Sequence, residues 1–245
     1  MRMAAKKITA KILPASVFWL SVTVAAHAHP HIFIDASADI AMGDNGQIVG
    51  ITHIWTFDPL FSSWLIQGIE RDENGKLDQQ RLDEIGLHDV TELQHYSYYT
   101  QVTGEGADLS FRASESLTIE EVDGRLRLFF DITPQGTGRA YREIAVSIFD
   151  PHFYTAFSFA DPDGLAVSGV PDQCSVTRQE PAPLPDSILQ RLANLPANVY
   201  ELPPELAAAI GGREGKILIS CDVPPIEHPF SFGTLNGDQP RFWPF

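Results

Sequence analysis

Cysteine is nearly absent: Cys174 and Cys221 are the only two in 245 residues. Their spacing excludes a C-x-x-C redox centre. Basic residues are also few, with 17 Lys and Arg against 32 Asp and Glu, a net charge of −15. Such an acidic surface disfavours nucleic acid and anionic lipid, and suits cations and basic partners. Beyond residue 28 no run approaches the roughly 20 apolar residues that span a bilayer, so the processed chain is expected to be soluble. There is no internal repeat, no low-complexity tract, and no G-x-S-x-G, H-E-x-x-H or phosphate-binding loop. The scattered carboxylates form no recognisable acid/base pair, and Asp150 and His152 around Pro151 read as a turn. An enzyme is not expected.

What is present begins with an export signal. Arg2, Lys6, Lys7 and Lys11 precede an apolar run over residues 12–26, and Ala26-His27-Ala28 supplies the small-x-small pattern of a cleavage site. Residues 1–28 are therefore expected to be a signal peptide. The mature chain would start at His29 with 13 basic and 32 acidic residues, a net charge of −19. In an exported chain two cysteines predict one disulfide, Cys174–Cys221, pinning the C-terminal segment to the body.

The mature chain reads as mainly β. Residues 31–40 alternate, with Ile32, Ile34, Ala36, Ala38 and Ile40 on one face. Residues 48–57 place Val49, Ile51, His53, Trp55 and Phe57 together. Gly43-Asp44-Asn45-Gly46 between them predicts a hairpin. Helical spacing follows at Leu60, Phe61, Trp64, Leu65 and Ile69, and again at Leu82, Ile85, Val90 and Leu93, loosened at Gly86. Further strands are expected at 96–102, 117–122, 126–132, 144–149 and 155–159. The expected fold is an antiparallel β-sandwich over residues 29–178, α+β by virtue of a helix–loop–helix insertion at 59–95. A Pro-rich C-terminal appendage, 179–245, carries two short helices at 186–195 and 204–210. Its last stretch, 224–245, is expected to drape over the surface.

Two clusters carry candidate chemistry. After cleavage, His29 offers an amine and an imidazole, and His31 lies two residues on, on the same face of a strand. Imidazole suits zinc, copper and nickel. Pro30 lacks the backbone N–H that a square-planar amine–amide–amide–His chelate requires. With a turn through Asp44-Asn45, His31 faces Asp58, which would add a carboxylate. His53 falls on the other face, either as a core imidazole or as a further ligand. The second cluster, Glu70-Arg71-Asp72-Glu73-Asn74-Gly75-Lys76-Leu77-Asp78, resembles an EF-hand loop. Glu70, Asp72, Asn74, the Lys76 carbonyl and Asp78 stand at liganding positions, and Gly75 at the bend. Arg81 occupies the place of the bidentate Glu, so calcium binding is expected to be weak.

Four segments together, HPHIFID at 29–35, HIWTFDPLFS at 53–62, DENGKL at 72–77 and FDPHFYTAF at 149–157, resemble the bacterial periplasmic domain-of-unknown-function family 1007. Its members are labelled an uncharacterised periplasmic component of an ABC-type transport system and accompany nickel/cobalt permeases. The resemblance implies a periplasmic accessory role in transition-metal handling beside an inner-membrane permease of the nickel/cobalt type; the imidazoles would equally suit zinc or copper. By motif it points to His29, His31, Asp35, His53, Trp55 and Asp58. The alternative is a non-catalytic module that docks on a membrane partner without binding metal tightly.

Overall fold

The computed structural model describes residues 29–136, 138–160, 164–196, 198–199 and 201–222; the signal-peptide reading and the stretch 224–245 lie outside them. The protein is mostly β, with two sheets and a few helices. The first sheet holds β1 (Ile32–Met42), β2 (Ile48–Phe57), β5 (Phe111–Val122), β6 (Arg125–Pro134), β8 (Thr155–Phe159) and β9 (Leu165–Ser168). Its order is β5-β6-β2-β1, with β8 and β9 pairing in turn, both parallel, along β1. The second sheet holds β3 (Thr100–Gly104), β4 (Ala107–Asp108), β7 (Glu143–Ile148), β10 (Cys174–Gln179) and β11 (Lys216–Cys221), ordered β10-β11-β7-β3-β4.

The period of two in the sequence sets which faces are buried. Ile34, Ala36, Ala38 and Ile40 alternate with more exposed neighbours along β1, and Ile51, His53, Trp55 and Phe57 do so along β2. One apolar core joins them to Ile144 and Val146 of β7 and to Ile217 and Ile219 of β11. Val49 departs from the expected face and is exposed. Met42 pairs Ile48 while Ala41 pairs Gly50, so Val49 is the extra residue of a bulge.

Helices α1 (Pro59–Leu65) and α2 (Gln79–Leu93) stand between β2 and β3, where helical periodicity is expected. Asp58 caps α1 and Asp78 caps α2, each accepting two backbone N–H bonds from the first turn. Gly86 does not loosen α2. A Cβ there would lie 2.8 Å from Leu117 Cδ1 and 3.1 Å from Ile119 Cγ2, so the glycine lets the helix lie close on β5. A strand does not resume at residue 96: a 3-10 segment runs Gln94–Tyr99, and Ser97, Tyr98 and Tyr99 all have positive φ, so β3 waits until Thr100.

The C-terminal segment is more than an appendage. Helices α3 (Asp186–Ala193) and α4 (Pro204–Ile210) form a small core of their own around Leu192, Leu202 and Leu206. The chain then returns as β11, an interior strand between β7 and β10. Cys174 and Cys221 face each other across β10 and β11 and are bonded, with Cα atoms 4.0 Å apart. Gly46, at φ +83°, rests on this disulfide: a Cβ there would meet both sulfurs at 3.2 and 3.3 Å.

Candidate functional site

The hairpin register decides which groups meet at the start of β1. Ile34 pairs Phe57 and Ala36 pairs Trp55, two residues away from the register in which His31 faces Asp58. The cause is the connection: Gly43 N–H donates to Gln47 O and the bulge adds Val49, so the loop is longer than a two-residue turn. Asp58 therefore faces Phe33. Its backbone N–H donates to Phe33 O at 2.9 Å, and its Oδ2 accepts the Phe33 N–H at 3.0 Å. Oδ1 accepts from Leu60 and Phe61 N–H, both at 2.9 Å. The carboxylate ends the strand ladder and caps α1.

His29 and His31 do come together. Their ring centroids are 5.0 Å apart, and Tyr154 lies against both, 6.2 Å from His29 and 4.6 Å from His31. The His31 and Ile32 N–H groups both donate to Tyr154 O, which fixes the chain entering β1 beside β8. His31 Nε2 is buried without a hydrogen-bond partner among the described residues. Tyr154 was not foreseen as part of this cluster; its signal lay in the FDPHFYTAF segment. Asp150 organises that segment by accepting N–H bonds from His152, Tyr154 and Thr155, which matches the turn reading.

His53 lies elsewhere, fully buried against Trp55 and Phe130. Thr100 Oγ1 donates to Tyr98 O, and His53 Nε2 lies 3.3 Å from Thr100 Oγ1. Burial pushes the His53 pKa down to about 3, leaving a neutral imidazole. Asp35 is likewise committed, its Oδ2 accepting from Arg125 at 2.7 Å while Arg125 also donates to Phe57 O and Thr56 O. Among the described residues no group of three or more His, Cys, Asp and Glu side chains could hold a metal ion. The His29/His31 pair is the part of the expected set {His29, His31, Asp58, His53} that the fold brings together.

The EF-like segment closes on itself. Asp72 Oδ1 accepts the Asn74 and Lys76 N–H bonds at 2.8 Å each, and these bonds, that of Lys76 foremost, hold its carboxyl below the usual range. Asp78 is occupied in capping α2. Arg81 pairs with Glu84 at 2.6 Å. Arg71 forks onto both Glu121 oxygens and also reaches Gly75 O, tying the turn to β5. Glu70 contributes its carbonyl to the Asp78 N–H.

No helix among the described residues is long and apolar enough to cross a membrane. No curated protein matches the chain. The model of one family, described as a protein of unknown function (DUF1007), matches residues 15–205, most of the chain, and the protein belongs to that family.

Proposed function

We propose that this is an exported, periplasmic accessory protein that binds a divalent transition metal at its mature N-terminus on behalf of an inner-membrane transporter. The observation that supports it is the approach of His29 and His31 to 5.0 Å beside Tyr154. Two imidazoles make an incomplete site, and the free amine of His29, created by cleavage after Ala28, supplies the third nitrogen. Such a donor set suits nickel, cobalt, zinc or copper. The disulfide is in keeping with an oxidising compartment. The permease partner comes from the family resemblance alone.

In this reading the two sheets pack as a sandwich that carries the N-terminal site, and the turn at Asp72 is structural rather than a calcium sensor. The role is binding, not catalysis. The test is metal titration of correctly processed protein. Binding of nickel, cobalt, zinc or copper that is lost in His31→Ala and on adding one residue before His29 supports the proposal. Equally poor binding by native and extended forms refutes it.

A second reading has its own support: a docking module without tight metal binding. Leu60 and Trp64 on α1 are 80% and 64% exposed. Apolar groups this open on one short helix mark a contact surface.

A further inference from the structure

Helices α1 and α2 leave two adjoining hollows. One, of about 190 Å³, is walled by Phe61, Trp64, Tyr96 and Tyr99; the other, of about 540 Å³, extends to Gly68 and Ile85. Trp64, Leu65 and Asp89 border both, so the hollows form one groove. Its walls carry two stacked aromatic pairs, Phe61 on Trp64 at 5.6 Å and Tyr96 on Tyr99 at 5.7 Å. Tyr96 is 55% exposed.

The charge of the groove is one-sided. Asp89 and Glu92 border the smaller hollow and Glu84 the larger. Arg81 and Glu84 neutralise each other, which leaves Asp89 and Glu92 as the groove's negative charge, and α1, with the sequence PLFSSWL, brings no charge at all. His88 lies beside Asp89 in the larger hollow. Among the described residues Asp89, a carboxylate among aromatic rings, makes no salt bridge to Lys or Arg, and the whole chain is acidic. An aromatic surface edged by carboxylates matches a cation on an apolar stem, through ring-face attraction as well as charge. Nucleic acid and anionic lipid are repelled by the same charge.

We propose that this groove receives a basic polypeptide segment of a partner protein, with Lys or Arg set beside Leu or Phe. An apolar side chain enters the smaller hollow between Trp64 and Tyr96, and a neighbouring cation meets Asp89 and Glu92. The proposal rests on the docking reading and makes no use of the metal site.

The test is calorimetric titration of the processed protein with two 12-residue peptides, one alternating Lys and Phe, the other Glu and Phe. The Lys peptide should bind and the Glu peptide should not. The double variant Asp89→Asn, Glu92→Gln should weaken binding tenfold or more, as should Trp64→Ala. Because the protein is acidic everywhere, Glu115→Gln with Glu180→Gln removes the same charge from exposed positions off the groove and should leave affinity within twofold. Circular dichroism establishes that each variant is folded. Equal loss in both double variants, or equal binding of both peptides, overturns the proposal in favour of non-specific attraction. Titrating the groove variant with nickel separates the two readings: unchanged metal binding keeps the groove apart from the N-terminal site, and loss of nickel would make Asp89 and Glu92 metal ligands and overturn the proposal.

Discussion

The imidazole of His53 lies flat on the ring of Phe130, centroids 4.8 Å apart and planes inclined by 16°. It is a core group, and His53→Ala should cost about 3 kcal/mol of stability, at the low end for deleting a buried ring. Metal affinity measured on the folded fraction should be unchanged. Loss of metal without loss of folding would restore His53 as a ligand.

The same imidazole sets an acid limit. Its folded pKa, about 3, is depressed below the usual 6.5 of an imidazole by burial. The stability it contributes is present above about 6.5 and is lost as pH falls towards 3, where the folded state resists a proton that the unfolded chain accepts. Between those limits the loss is on the order of several kcal/mol. Denaturant unfolding at pH 7 and pH 4 should show a steep drop, and His53→Phe, if folded, should flatten it.

Asp89 acts in the opposite sense. Burial pushes its carboxyl up to about 6, opposed by the charge of His88. The folded state then holds a proton that the unfolded chain releases, so stability falls as pH rises from about 4 through 6. The rise to about 6 corresponds to at most about 3 kcal/mol, reduced by partial solvent access. Asp89→Asn should melt at a higher temperature than the native protein at pH 7.5 and at the same temperature at pH 4. A constant difference at both pH values would show that charge is not the cause.

Calcium should bind the Asp72 turn no better than millimolar. The turn's own N–H groups already occupy Asp72, and Arg81 stands where a bidentate carboxylate is needed. Calorimetry reporting micromolar binding that Asp72→Ala abolishes would overturn this.

Removing the disulfide by Cys174→Ala with Cys221→Ala should cost about 4 kcal/mol in the chain-entropy model for a separation of 47 residues. Gly46→Ala should cost about 1 kcal/mol or more, since it combines a positive φ with contact on both sulfurs. Chemical unfolding of the two variants measures both effects.

Much of the fold was legible where one physical signal dominates. Alternation located β1 and β2, the strands expected at 117–122, 126–132, 144–149 and 155–159 fall within or overlap β5 to β8, helical spacing located α1 and α2, and an even cysteine count pointed to the bond. The strands that escaped notice lacked such a signal. β10 lies at a sheet edge with every residue after Cys174 exposed, so its sequence SVTRQ is polar. β11 is short and follows a Pro-rich tract, and its place between β7 and β10 is a long-range choice that no local pattern encodes. At the site, His29 and His31 lie 5.0 Å apart but ahead of β1, which begins at Ile32, so the shared strand face expected for them is not what brings them together. Asp58 was misplaced because a bulge and a longer connection moved the register by two, and the sequence carries no mark for either.

Asp58 gives one side chain two dependents. Through Oδ2 and its backbone N–H it holds Phe33, two residues from His31, and through Oδ1 it holds the first turn of α1. The entrance of β1 and the first turn of α1 are thus fastened by the same carboxylate, so Asp58→Ala should loosen both ends at once.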